Sequence, residues 1–129
     1  MTADQALALV QAAIAQARTM QVRVSAVVVD AGGHAKALWR MDGAPFHGIT
    51  LATDKARTAA GFGFATALWN ERIGERAHLA AGLNGRDGFI AIGGGVPVIR
   101  DGQVVGAIGI SGAKEHEDCQ IAEAALTAL

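Results

Sequence analysis

Gly93, Gly94 and Gly95, followed by Val96 and Pro97, form the segment best suited to bring main chain against a ligand. Glycine lacks a Cβ, so it permits close approach and positive φ. Amides exposed in such a bend can cradle an anion. A β-bulge or tight bend without a ligand uses the same residues, and the segment alone does not choose between the two. It is not a P-loop, because no Gly-Lys-Ser/Thr follows. Nor is it a dinucleotide fingerprint, because the next segment reads as a strand rather than a helix.

Lys55 and Thr58 stand one helical turn apart and can face one site. A lysine there would hold a carboxylate or phosphate; the other reading is a solvated polar face. Arg40 and Asp42 close a strand and open a loop. They either line the same site or pair on the surface, where a salt bridge contributes little. None of His34, His47, His78 and His116 has the spacing of a metal-binding His-Glu-x-x-His helix, and no metal site is expected. His47, next to Phe46 and just ahead of the lysine-bearing helix, is the main functional candidate among them. A lone imidazole can ligate haem iron or move a proton, although an ordinary surface histidine is the alternative for each. His116 is expected to be exposed.

Serine chemistry has no Gly-x-Ser-x-Gly elbow to support it. Cys119 is the sole cysteine, so neither an internal disulfide nor a cysteine cluster for zinc can form. Its place on an apolar helical face reads as buried and inert. Glu115, Glu117 and Asp118 fall in the first turn of the last helix, where negative charge is favoured; that role suffices for them, and the alternative is an acid facing the Gly93 region.

These residues need a scaffold. Thr2 and Gln5 have capping-box spacing, and Leu7, Val10, Ile14 and Ala17 share a face, which predicts a helix over 2–18. The β-branched run 22–29 predicts a central strand. Asp30-Ala31-Gly32-Gly33 is a turn into an alternating strand over 34–40. After a loop over 41–48, a helix over 49–60 buries Ile49, Ala52, Ala56 and Ala60, and Gly61-Phe62-Gly63 interrupts it. A short helix over 65–73 and a helical turn over 78–83 follow. Residues 89–92 read as a short strand. Asp101-Gly102 is a hairpin signal joining strands over 96–100 and 103–110. A last helix over 114–129 places Cys119, Ala122, Leu126 and Leu129 on one face. Helix, hairpin, helices, meander and helix together predict an α/β (α+β) fold, a mostly antiparallel sheet with helices packed on it, as one domain over 1–129.

Composition narrows the function classes. A net charge of −1 leaves no basic footprint for nucleic acid or an anionic membrane. The apolar stretches are too short or too broken by glycine to span a bilayer. Met1-Thr2-Ala3-Asp4 has no basic segment ahead of an apolar run, so the expected location is cytoplasmic. With 17 glycines and no tyrosine, backbone must pack closely on backbone, and few large side chains remain to fill a pocket.

Several segments combine into a pattern: 42–44 (Asp-Gly-Ala), 52–59 (Ala-Thr-Asp-Lys-Ala-Arg-Thr-Ala), 93–98 (Gly-Gly-Gly-Val-Pro-Val) and 105–112 (Val-Gly-Ala-Ile-Gly-Ile-Ser-Gly). With 27–34 they resemble the GlcG/HbpS/PduO-C-terminal family over essentially the whole chain. The resemblance implies a five-stranded antiparallel sheet flanked by helices, a profilin-like sandwich, and homo-oligomers. It also implies a ligand region at the loop before the second helix, the 55–58 segment and the glycine run. On that basis the expected ligand-binding residues are Arg40, Phe46, His47, Lys55, Thr58, Gly93, Gly94, Gly95 and Pro97.

The functional expectation is a binding protein in a catabolic or sensing context, with haem, a related tetrapyrrole or a small anionic metabolite as ligand. The alternative is an enzyme acting on a small carboxylated metabolite, with Lys55 or Arg40 anchoring the carboxylate and His47 or Asp42 as acid or base. A third reading is an assembly module whose site is empty.

Overall fold

A computed structural model describes residues 1–129. Helix α1 (Ala3–Thr19) leads into strand β1 (Ser25–Asp30), which turns into β2 (Ala35–Arg40). Helix α2 (Gly48–Phe62) is followed by a 3₁₀ turn (Thr66–Leu68) and two short helices, α3 (Trp69–Ile73) and α4 (Ala77–Leu83). Strands β3 (Gly95–Arg100) and β4 (Gln103–Ser111) precede helix α5 (Glu115–Ala125) and a closing 3₁₀ turn. The sheet is antiparallel, with order β2-β1-β4-β3. Helices α1 and α5 cover one face and α2 covers the other.

Local signals explain most of the boundaries. Thr2 and Gln5 form the expected reciprocal cap at the start of α1. Asp101 and Gly102 have φ of 52° and 76°, the two positive values that a tight hairpin turn needs. Helix α2 runs through Gly61 and stops only at Gly63, whose φ of 79° forms a left-handed cap.

The sheet has four strands, not five. Residues 89–92 form no strand, because the Ile90 N–H donates to the Thr58 hydroxyl on α2 rather than to a neighbouring strand. The buried stripes match expectation in part, with Val10, Ile14 and Ala17 on α1, Ala52, Ala56 and Ala60 on α2 and Ala122 on α5 buried. Leu7 is 48% exposed, and α1 buries Ala6, Leu9, Val10, Ala13, Ile14 and Ala17. Helix α5 buries Asp118, Ile121, Ala122 and Ala125, leaving Cys119 half-buried and Leu129 exposed.

Helix α2 lies unusually close to the sheet. Gly95 and Gly109 are direct partners across β3 and β4, and both face α2. A Cβ at Gly95 would collide with the Lys55 carbonyl, and one at Gly109 with the Ala52 carbonyl. On the helix side the contact is made by Ala52, Ala56, Ala59 and Ala60, against Val27, Val29 and Ala107. Glycine facing alanine thus lets two backbones pack with almost no side chain between them.

Gly109→Ala is expected to cost about 1–3 kcal/mol by overpacking. Gly61→Ala, in open space on the same helix, is expected to stabilise by about 0.4–1 kcal/mol. Urea unfolding of the two variants measures both, and equal effects would disprove the glycine floor.

Candidate functional site

The glycine run and the lysine-bearing helix do converge, but they converge on each other. A Cβ at Gly94 would stand 3.0 Å from Lys55 Nζ and 2.6 Å from the Ile110 carbonyl oxygen. Lys55 Nζ donates to that carbonyl at 2.8 Å and to Asp118 Oδ2 at 3.1 Å. Both side chains are almost fully buried. The other Asp118 oxygen accepts the Ala113 N–H at 3.1 Å. The Gly93 N–H donates to Glu115 Oε1 at 3.0 Å, and the Gly95 N–H to Thr66 Oγ1 at 2.9 Å.

The ammonium and two of the amides that the sequence offered to an anion are therefore bonded within the protein. Lys55 cannot anchor a substrate carboxylate without breaking its buried pair. Asp118, read from sequence as a helix-dipole acid, is its actual partner. Burial pushes the Asp118 carboxyl above the usual aspartate range. The charge and hydrogen bond of Lys55 oppose that push, as does the Ala113 N–H, while Glu117 adds to it.

The remaining candidates are dispersed. The Thr58 hydroxyl donates to the Gly88 carbonyl at 3.3 Å and accepts the Ile90 N–H at 3.1 Å, so it holds the 88–90 segment and does not face the site of Lys55. Arg40 donates twice to the Ala44 carbonyl, from Nε at 3.0 Å and from Nη2 at 2.6 Å. Phe46 and His47 stack on each other with ring centroids 4.0 Å apart. Both are exposed and neither lines a cavity, contrary to the expectation for His47. Pro97 lies opposite Ala107 and lines a separate cleft at the β3 edge. Asp42 lines a cleft with Arg18 and Arg23, away from the glycine run.

Concavity lies on the outer side of the glycine run. A cavity of about 470 Å³ is bounded by Asn70, Ile73, Asn84, Phe89, Ile90 and Ile92. A more open one of about 510 Å³ is bounded by Ala67, Asn70, Glu115, His116 and Cys119. Asn70 belongs to both, so the two adjoin there, and together they are called the trough. Behind it, Trp69 packs against Phe62, Phe64 and Phe89 with centroids 4.9, 5.0 and 5.0 Å away, which fixes the Phe89 wall. His116 is the one histidine that lines a cavity. Cys119 Sγ points at Gly93 and would stand 2.6 Å from a Cβ there. Burial, then Glu115, raises the Cys119 thiol pKa, which keeps it a poor nucleophile.

A family model described as "Haem degrading protein HbpS-like" matches residues 1–127. The chain belongs to this HbpS-like family. Corrinoid adenosyltransferase PduO of Salmonella typhimurium is 35% identical over 124 residues, which cover 94% of this chain and 36% of PduO. The chain thus spans about a third of that relative's length. Protein GlcG of Escherichia coli is 36% identical over 112 residues, covering 82% of this chain and 77% of GlcG. Among solved structures, a PduOC:heme complex superimposes with a TM-score of 0.86 at 31% identity, covering all of this chain and 94% of the other. These likenesses confirm the family read from the sequence motifs. Within this member, the family's glycine run carries the joint between α2 and α5. No helix is long and apolar enough to cross a membrane.

Two outcomes test the joint. Asp118→Ala leaves the Lys55 ammonium buried without its carboxylate and is expected to cost about 3–5 kcal/mol in urea unfolding. The raised Asp118 pKa sets the sign of a pH dependence. The folded protein binds this proton more tightly than the unfolded chain, so the contribution to stability falls as pH rises from about 4 through the folded value. Asp118→Asn is expected to lack that slope. Unfolding free energies of the two proteins that run parallel across acidic pH would contradict it.

Proposed function

We propose that this chain is a binding protein for a haem-class tetrapyrrole, seated in the trough astride Asn70. One observation carries the reading: His116 is the sole cavity-lining histidine, and the cavity that adjoins its own at Asn70 has an apolar wall of Phe89, Ile90 and Ile92. An apolar wall with one imidazole suits a flat, iron-centred macrocycle. The family description and the heme named with the PduOC structure support the same ligand class. Bound haem would supply an iron centre able to exchange an axial ligand.

The chain's own residues do the positioning. Glu115 accepts the Gly93 N–H and so fixes the first turn of α5, which carries His116, against the segment that carries Ile92. Thr58 holds the 88–90 segment from the other side. The trough therefore has walls held by side-chain bonds rather than by a sheet ladder.

Self-association belongs to the same reading. Strands β2 and β3 each pair on one side only, and Leu38 and Ile99 on them are 47% and 55% exposed. Light scattering on the purified protein is expected to give a mass above that of one chain, reduced in Ile99→Lys.

Hemin titration tests the ligand. A shifted Soret band is expected for the wild type and for His47→Ala, and a weakened one for His116→Ala. A band that depends on His47 instead would overturn the site, and no shift in the wild type would remove haem as the ligand.

A further inference from the structure

A second concavity is cationic and sits on the α1 face of the sheet. Arg18, Arg23, Trp39, Met41 and Asp42 enclose about 340 Å³ and share no residue with the trough. Trp39 pairs with Ala26, which belongs to the core under α1, so its ring comes out on that side. Arg18, in the last turn of α1, holds its Cζ 5.7 Å from the Trp39 ring centroid.

Arg23 comes from the link between α1 and β1 and lies across Gly43. Gly43 has φ of 79°, and a Cβ there would collide with the guanidinium. The loop beneath is fixed at several points. Arg40 grips the Ala44 carbonyl, the Met41 N–H donates to the Val24 carbonyl, and the Val24 N–H donates to Met41 Sδ at 3.4 Å. The positive φ of Gly43 and these bonds fix the loop over which the Arg23 guanidinium lies.

Neither guanidinium makes an ion pair or a hydrogen bond inside the chain. The ion pairs are Asp30 with His34 and Lys55 with Asp118, and Arg40 is the one arginine whose guanidinium donates a hydrogen bond. Two unpaired forks beside an aromatic ring suit a carboxylate or phosphate carried on a flat body. Asp42 on the same rim offsets one of the two positive charges, so a single negative charge completes the neutralisation. A dianion would meet the Asp42 carboxylate as well.

We propose that this cavity binds a small flat monocarboxylate, its carboxylate held by Arg18 and Arg23 and its apolar body against Trp39. The site is independent of the tetrapyrrole trough, and the two can fail separately.

Benzoate is the probe, read by Trp39 fluorescence. Trp69, the other tryptophan, is buried, and Trp39→Phe identifies the responding ring. Saturable quenching by benzoate is expected, absent with benzyl alcohol and weaker with phenyl phosphate. Arg18→Gln and Arg23→Gln are each expected to raise the benzoate Kd about tenfold, with the lysine variants recovering part of the loss. Both arginines are exposed, and circular dichroism checks that the variants fold. No saturable response, an unchanged Kd in the doubly substituted protein, or tighter binding of phenyl phosphate than of benzoate would each overturn the proposal. So would loss of self-association in the double variant without any benzoate response, which would assign the surface to a second copy of the chain.

Discussion

The close seating of α2 on the sheet is the constraint from which the rest of the structure follows. Gly95 and Gly109 face the helix side by side, and Ala52 and Ala56 answer them. Backbone meets backbone there, so the helix sits deep enough for Lys55 to pass the edge of the sheet and reach Asp118 on the far layer. Larger side chains at the glycine positions would lift the helix and leave the ammonium and carboxylate buried apart. Burying separated charges is far more costly than burying a bonded pair.

That joint ties three layers together. Lys55 belongs to α2, its second acceptor is the Ile110 carbonyl of β4, and Asp118 belongs to α5. The main chain after β4 is bound into it through the Ala113 N–H. The glycine run is shaped by the same joint, with Gly93 bonded to Glu115 and Gly95 to Thr66. Residues that look like ligand-binding machinery in one dimension thus serve as interior fastening. The concavities that lie clear of this fastening are the trough outside the run and the arginine-lined cleft on the other face.

The two surfaces differ in chemistry because they are framed by different elements. The trough is bounded by α3, by the segment before β3 and by the start of α5, and is held by Thr58 and by an aromatic cluster around Trp69. It offers apolar wall and one imidazole. The cleft is bounded by the end of α1 and the loop after β2, and it offers two cations over an indole. Neither surface draws on Lys55 or Asp118 of the buried ion pair.

The sequence by itself determined the elements with strong local signals. The Thr2–Gln5 cap, the Asp101-Gly102 turn and the motifs shared with the HbpS-like family depend on neighbouring residues and on pattern, and each appears where it was expected. It could also have signalled the joint. Lys55 interrupts the Ala52–Ala56–Ala59 stripe and Asp118 lies on the Ile121–Ala122–Ala125 stripe, and a charge on each of two apolar stripes calls for a partner. Which charge meets which, 63 residues apart, was decided only by the tertiary structure. So was the fate of 89–92, whose β-like composition gave way to a side-chain bond from Thr58. That His116, exposed as expected, lies beside a cavity and His47 away from one was settled there too. Local propensity acts over a few residues, whereas burial, charge pairing and concavity depend on which segments the packed layers bring together.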